Sequence, residues 1–167
     1  VIGAAIATTL AAQGFAVRGH ARSRKQLPGV DCRAGDDGFG AFLDGLDVLV
    51  SVLPATAATR GLLDRTALSR LRAGAHVINV GRGCALVDDD LLALIAGGQL
   101  GGATLDVFAT EPLPATHPFW THPAILVTPH IAAETELAPA VEQVADKLAR
   151  WSRGEAVSGR VDRARGY

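Results

Sequence analysis

The chain has 167 residues, 49% hydrophobic and 20% charged, with sixteen basic side chains against seventeen acidic ones for a net charge of -1. Those values fit one globular domain of ordinary size with a real core. They exclude a strong overall field, so neither a nucleic-acid partner nor an anionic membrane surface is expected, and any basic site must be local.

The two cysteines, Cys32 and Cys84, make no disulfide framework. Nothing has the form of a signal peptide or of the run of about 20 apolar residues that spans a membrane. A reducing cytoplasm is the expected setting. Methionine is absent and Val1 enters directly into an apolar helical pattern, so the natural start of the chain is expected to lie upstream.

In chain order, Ile2, Ile6 and Leu10 line an alanine-rich helix that Gly14 ends in a left-handed cap. Phe15 to His20 reads as a strand. Asp47 to Leu53 reads as a second, buried strand stopped by Pro54, and Asp64 caps a short helix carrying Leu68 and Leu71. Three short apolar runs bounded by Gly or Pro give further strands: Ala75 to Val80, Gly102 to Leu105, and Ala124 to Val127. Between the first two lies a helix from Asp88 to Gln99. The Asp88-Asp89-Asp90 triplet reads as its cap rather than a metal site, because consecutive side chains on a helix do not converge; no metal is expected. Pro112, Pro114 and Pro118 make residues 111 to 123 an irregular loop. Glu134 to Trp151 is a last amphipathic helix with Leu137, Val141, Val144 and Leu148 on its apolar face. The alternation gives an α/β fold, a doubly wound open parallel sheet with five visible strands and its first strand missing.

Parallel strands with crossover helices bring their carboxyl ends to one edge, where ligands bind. Arg82, Asp106, Glu111 and His130 each follow an apolar run and so meet there: a cation, two acids and an imidazole, suited to proton transfer beside a carboxylate. Gly81 and Gly83 flank Arg82 and permit close backbone approach to a ligand. His20, His76, His117 and His122 read as structural or surface residues. Val1-Ile2-Gly3 fits the last three positions of a Gly-x-Gly-x-x-Gly turn, whose backbone approaches a pyrophosphate at a helix N-terminus. Arg22-Ser23-Arg24-Lys25 follows the next strand where an acid would hold the ribose 2′-hydroxyl of NAD. Guanidinium forks there match a 2′-phosphate, pointing to NADPH over NADH.

The motifs Asn79-Val80-Gly81-Arg82-Gly83, Leu105-Asp106-Val107-Phe108, Glu111-Pro112-Leu113-Pro114 and Thr128-Pro129-His130-Ile131-Ala132-Ala133 resemble the D-2-hydroxyacid dehydrogenase family in order and spacing. With Arg22 to Lys25 and the tail Val161 to Tyr167, the chain looks most like the branch that reduces glyoxylate and hydroxypyruvate. The resemblance implies a Rossmann-type nucleotide-binding domain over residues 1–133, lacking its first strand. It also implies a helix and tail over 134–167 that belong to a substrate lobe absent from this sequence. It implies that Arg82 grips a 2-oxo acid, that His130 protonates its carbonyl oxygen with Glu111 in support, and that NADPH supplies the hydride. Asp106 would face the nicotinamide, with Val1, Ile2, Gly3, Pro54, Thr59, Val80, Gly81 and Ala133 near the cofactor. The family further implies a homodimer. Two other readings stay open, a dehydrogenase-like nucleotide-binding protein and an inactive truncated fragment.

Overall fold

The structure, a computed structural model, describes residues 2–161 and residue 163. It opens on helix α1 (Ile2–Ala12), whose carboxyl end is closed by Gly14 at a φ of +90°, a conformation that a side chain would strain. Strand β1 (Val17–Ala21) follows and pairs in parallel with β2 (Val30–Ala34), Val17 opposite Val30 and Ala21 opposite Ala34. Helix α2 (Gly35–Leu43) packs against both strands.

The second sheet has four parallel strands in the order β3 (Val48–Ser51), β4 (Ala75–Asn79), β5 (Leu100–Leu105), β6 (Ile125–Val127). Helix α3 (Arg65–Leu68) lies in the β3–β4 connection and α4 (Asp88–Ala96) in the β4–β5 connection. The β5–β6 connection is the proline-rich segment, which holds only a short 3₁₀ turn at Pro118–Trp120. Leu68, Leu91, Leu100, Val77, Leu105 and Phe119 are almost completely buried in the core built around this sheet. Each such side chain contributes about 1.5–3 kcal/mol on leaving water.

Among the described residues no strand pairs β1 with β3, so the parallel sheet is divided in two. Helix α1 links the parts: it packs against β1 and β2, and a Cβ on Gly3 would stand 3.1 Å from Val52 Cγ2, just past β3. The fold expected from the sequence is present, with corrections. Among the described residues there are six strands rather than five. β2 and α2 escape the sequence because Asp31 and Arg33 interrupt the apolar run, paired to each other at 2.8 Å, and because three glycines lie within α2. The first strand is Val17–Ala21, two residues later at its start than expected.

Capping is confirmed at Asp64, whose Oδ1 accepts from Ala67 N–H at 2.9 Å. It is corrected at the Asp88 triplet. The cap residue of α4 is Val87, with no side-chain bond, and the acids lie in the first turn as favourable charges. Asp90 instead accepts from Arg65 N–H at 2.9 Å, satisfying the neighbouring helix. The last helix, α5 (Leu137–Ser152), starts later than expected and has no buried residue. No described helix is long and apolar enough to cross a membrane.

Candidate active site

The expected site residues stand at the start of α1 and after the carboxyl ends of parallel strands, Arg22 to Arg24 after β1 and the others after strands of the second sheet. Ile2 and Gly3 stand at the start of α1, and Val1 lies outside the described residues. Arg22, Ser23 and Arg24 follow β1 and are exposed, a cationic and hydroxyl donor set that fits a phosphate monoester. Past β3, Thr59 Oγ1 donates to the Pro54 carbonyl at 2.5 Å and accepts from Thr56 N–H at 3.0 Å, which fixes that loop.

After β4 the chain turns through Val80, Gly81 and Arg82. Buried Asn79 shapes the turn: its Oδ1 accepts from Gly81 N–H at 3.2 Å and its Nδ2 donates to the Arg82 carbonyl at 3.4 Å. Both glycines are required by contact rather than by φ. A Cβ on Gly81 would meet Leu53 N at 2.6 Å, and one on Gly83 would meet the Phe108 carbonyl carbon at 1.9 Å. The Arg82 side chain is exposed between them, with one guanidinium nitrogen donating to the Gly81 carbonyl at 2.7 Å.

Glu111 and His130 meet across the edge. Glu111 Oε1 accepts from Phe108 N–H at 2.9 Å, and Oε2 lies 2.8 Å from His130 Nδ1. The Phe108 N–H and the His130 bond hold the Glu111 carboxyl below its usual range against the opposing effect of burial; the charges of His130 and Arg82 add to the lowering. An ionised carboxylate only accepts, so Nδ1 carries the hydrogen of this contact. Nε2 is thereby left for a ligand.

His130 is the one described non-glycine residue at positive φ, +55°. That left-handed conformation costs about 1–2 kcal/mol. Asp106, 3% exposed, offsets the cost: its Oδ1 accepts from Thr128 Oγ1 at 2.6 Å and Ile131 N–H at 2.8 Å, and its Oδ2 from Ala132 N–H at 3.0 Å. Hydrogen bonds to a charged group are worth about 1.5–3 kcal/mol each, so three outweigh the strain. Burial raises the Asp106 carboxyl, but the Thr128 hydroxyl, the Ala132 and Ile131 N–H groups and the His130 charge more than compensate and lower it.

Sequence reasoning assigned Asp106 to the cofactor; the structure engages both of its oxygens with residues 128–132. It also missed Thr128 as their partner. Asn79 and Phe108 were legible only as members of motifs, since side-chain partners leave no periodic signal. Ala133 is exposed just beyond the turn. Among the described residues no group of three or more His, Cys, Asp or Glu side chains is placed to hold a metal ion.

The family model for the D-isomer specific 2-hydroxyacid dehydrogenase, NAD binding domain, matches residues 1–132. The chain belongs to the D-isomer specific 2-hydroxyacid dehydrogenase family. It is 47% identical over 167 residues to a Citrobacter koseri protein named glyoxylate/hydroxypyruvate reductase A, a match that covers all of this chain and 54% of that one. The chain thus spans about half the length of the curated relatives it matches. Among solved 2-hydroxyacid dehydrogenases, one from Xanthobacter autotrophicus in complex with NADPH and MES superposes with a TM-score of 0.96 at 42% identity, covering 99% of this chain and 69% of that one. The NADPH-dependent glyoxylate/hydroxypyruvate reductase of Sinorhizobium meliloti, solved with NADP and sulfate, gives 0.94 at 37% identity, covering 99% and 54%.

Proposed function

We propose that this chain supplies the nucleotide-binding half, and one side of the active site, of an NADPH-dependent reductase of small 2-oxo acids such as glyoxylate and hydroxypyruvate. The observation that carries the reading is the 2.8 Å contact between Glu111 and His130 at the strand edge that also presents Arg82. When bound, NADPH supplies the hydride that adds to the carbonyl carbon. Arg82 binds the substrate carboxylate and carbonyl through its planar fork and stabilises the negative charge that develops on oxygen. His130 delivers the proton to that oxygen from Nε2, while Glu111 holds the ring through Nδ1. The product is a 2-hydroxy acid.

Arg22, Ser23 and Arg24 would take the ribose 2′-phosphate and select NADPH over NADH. Ile2, Gly3, Pro54, Thr59, Val80, Gly81, Asp106 and Ala133 form the cofactor side in this reading. Residues 1–133 constitute the nucleotide-binding unit, and 134–167 pack toward a substrate lobe that completes the pocket. The whole protein would act as a cytoplasmic homodimer without a nucleic-acid or membrane partner.

The deciding experiment is glyoxylate-dependent NADPH oxidation, measured for this chain and for the chain extended by a relative's N-terminal half. Activity in the extended protein that disappears with His130→Gln supports the reading. NADPH binding without turnover in either protein would replace it with a binding role.

A further inference from the structure

Thr128 stands between β6 and the turn that presents His130, and all three of its polar groups are committed. Its N–H donates to the Leu105 carbonyl at 3.0 Å, extending the β5–β6 pairing past the end of β6. Its carbonyl accepts from His130 N–H at 3.1 Å, closing a three-residue turn around Pro129. Its hydroxyl donates to Asp106 Oδ1 at 2.6 Å.

Asp106 also accepts from Ile131 and Ala132, so it binds the backbone just after His130 through main-chain N–H groups and the backbone just before it through the Thr128 hydroxyl. Apart from the Glu111 contact, no hydrogen bond aims the imidazole among the described residues. The His130 and Glu111 side chains are 48% and 37% exposed, so no close-packed wall surrounds the pair. Pro129 contributes no N–H, and the left-handed backbone at His130 must be held from both sides. Among the described residues the charged groups that act on the imidazole are Glu111 from the loop after β5, in direct contact, and Asp106 at the end of β5, through its charge, with Arg82 acting on Glu111 from the turn after β4.

We propose that Thr128 is a positioning residue for proton transfer: its hydroxyl, through Asp106, ties the near end of the Thr128–Ala132 turn to β5 and so keeps His130 Nδ1 on Glu111. This rests on the reading of His130 as the proton donor. The hydroxyl is the specific requirement, because valine preserves the branched shape, the N–H and the carbonyl but cannot donate. Serine keeps the donor and loses only a methyl group.

The contact can be read without turnover, through the side-chain carboxyl carbon of Glu111 in an isotope-labelled sample of this chain titrated with acid. In the native chain the Phe108 N–H and the His130 bond hold that carboxyl below the ordinary glutamate range. Thr128→Val should move it part of the way back up, since the Phe108 N–H still holds it down, and Thr128→Ser should restore the low value. An unchanged Glu111 titration in Thr128→Val would overturn the proposal. Failure of Thr128→Ser to restore it would also do so, by assigning the effect to shape. So would collapse of the dispersed amide spectrum in Thr128→Val, which would make the hydroxyl a requirement of the whole fold. None of these readings needs substrate or NADPH, so failure of the Thr128 contact, seen in the Glu111 titration, is distinguishable from failure of the reductase reading, seen in the turnover assay.

Discussion

Glu111 is held by the Phe108 N–H, the His130 hydrogen bond and the Arg82 charge, and the sign of its shift fixes how pH acts on this corner of the fold. Its folded carboxyl lies below the unfolded one, so the stabilisation is complete above the ordinary value of about 4.3 and is lost as pH falls through the lower folded value. Glu111→Gln keeps an acceptor for Phe108 N–H but removes the titrating charge. Its unfolding temperature should therefore fall less steeply than the native one between about pH 5 and pH 3. Parallel curves in scanning calorimetry would contradict the shift. Asp106 carries more structural weight: Asp106→Ala strands a hydroxyl and two N–H groups and should cost about 3 kcal/mol in urea unfolding. On the cofactor side, Arg22→Ala with Arg24→Ala should weaken NADPH binding about tenfold or more and leave NADH binding almost unchanged, as measured by calorimetry of the extended protein. Equal losses for both nucleotides would remove the 2′-phosphate assignment. The grouping of Arg82, Glu111 and His130 was legible in the sequence because each is polar and follows an apolar run. That Asp106 binds Thr128 was not, because a strand-end carboxylate carries no sequence signal of its side-chain and backbone partners.

At the scale of elements, local chemistry was readable where one residue decides an end. Asp64 caps α3 as its side chain suggests, and Asp64→Ala should cost about 1 kcal/mol. The reading failed where a tertiary partner decides. Strand β2 alternates half-buried and exposed residues and is stabilised by pairing with β1, so its own sequence carries little apolar signal. Helix α2 holds three glycines for different reasons: Gly35 has a φ of +72°, a Cβ on Gly40 would stand 3.0 Å from Arg70 Cζ, and a Cβ on Gly38 would make only ordinary contact; Phe39 and Phe42 stack with centroids 6.4 Å apart. The turn after β4 makes the same point for function. Gly83 presses on the backbone of Phe108, whose N–H in turn holds Glu111, so the turn that carries Arg82 and the Glu111–His130 pair share one rigid contact. Gly83→Ala should destabilise the chain by about 3 kcal/mol through backbone displacement, well above the fraction of a kcal/mol expected of an exposed site. A change below about 0.5 kcal/mol would mean the contact is not rigid.

At the scale of the molecule, stability should be distributed as burial is. Strands β4 and β5 lie inside the four-stranded sheet, with Val77, Asn79, Ala103 and Leu105 wholly inaccessible. β1 and β2 form a separate pair whose residues are half-buried at best. In α5 nothing is buried, and Leu137, Val141, Val144, Leu148 and Trp151 all face outward, 56% to 78% exposed. A 16-residue helix without tertiary burial depends on its own propensity, which in water is marginal at that length. Amide hydrogen exchange on this chain should therefore fall into three tiers. β4 and β5 should exchange only through global opening, β1 and β2 through a lower-energy opening around α1, and α5 through local fraying with a protection free energy near zero. In the chain extended by a relative's N-terminal half, α5 should rise to the slow tier, because its apolar face would then be covered. Slow exchange at Val144 and Leu148 in the chain alone would show that the helix already has a partner, and would sink the assignment of residues 134–167 to a substrate lobe.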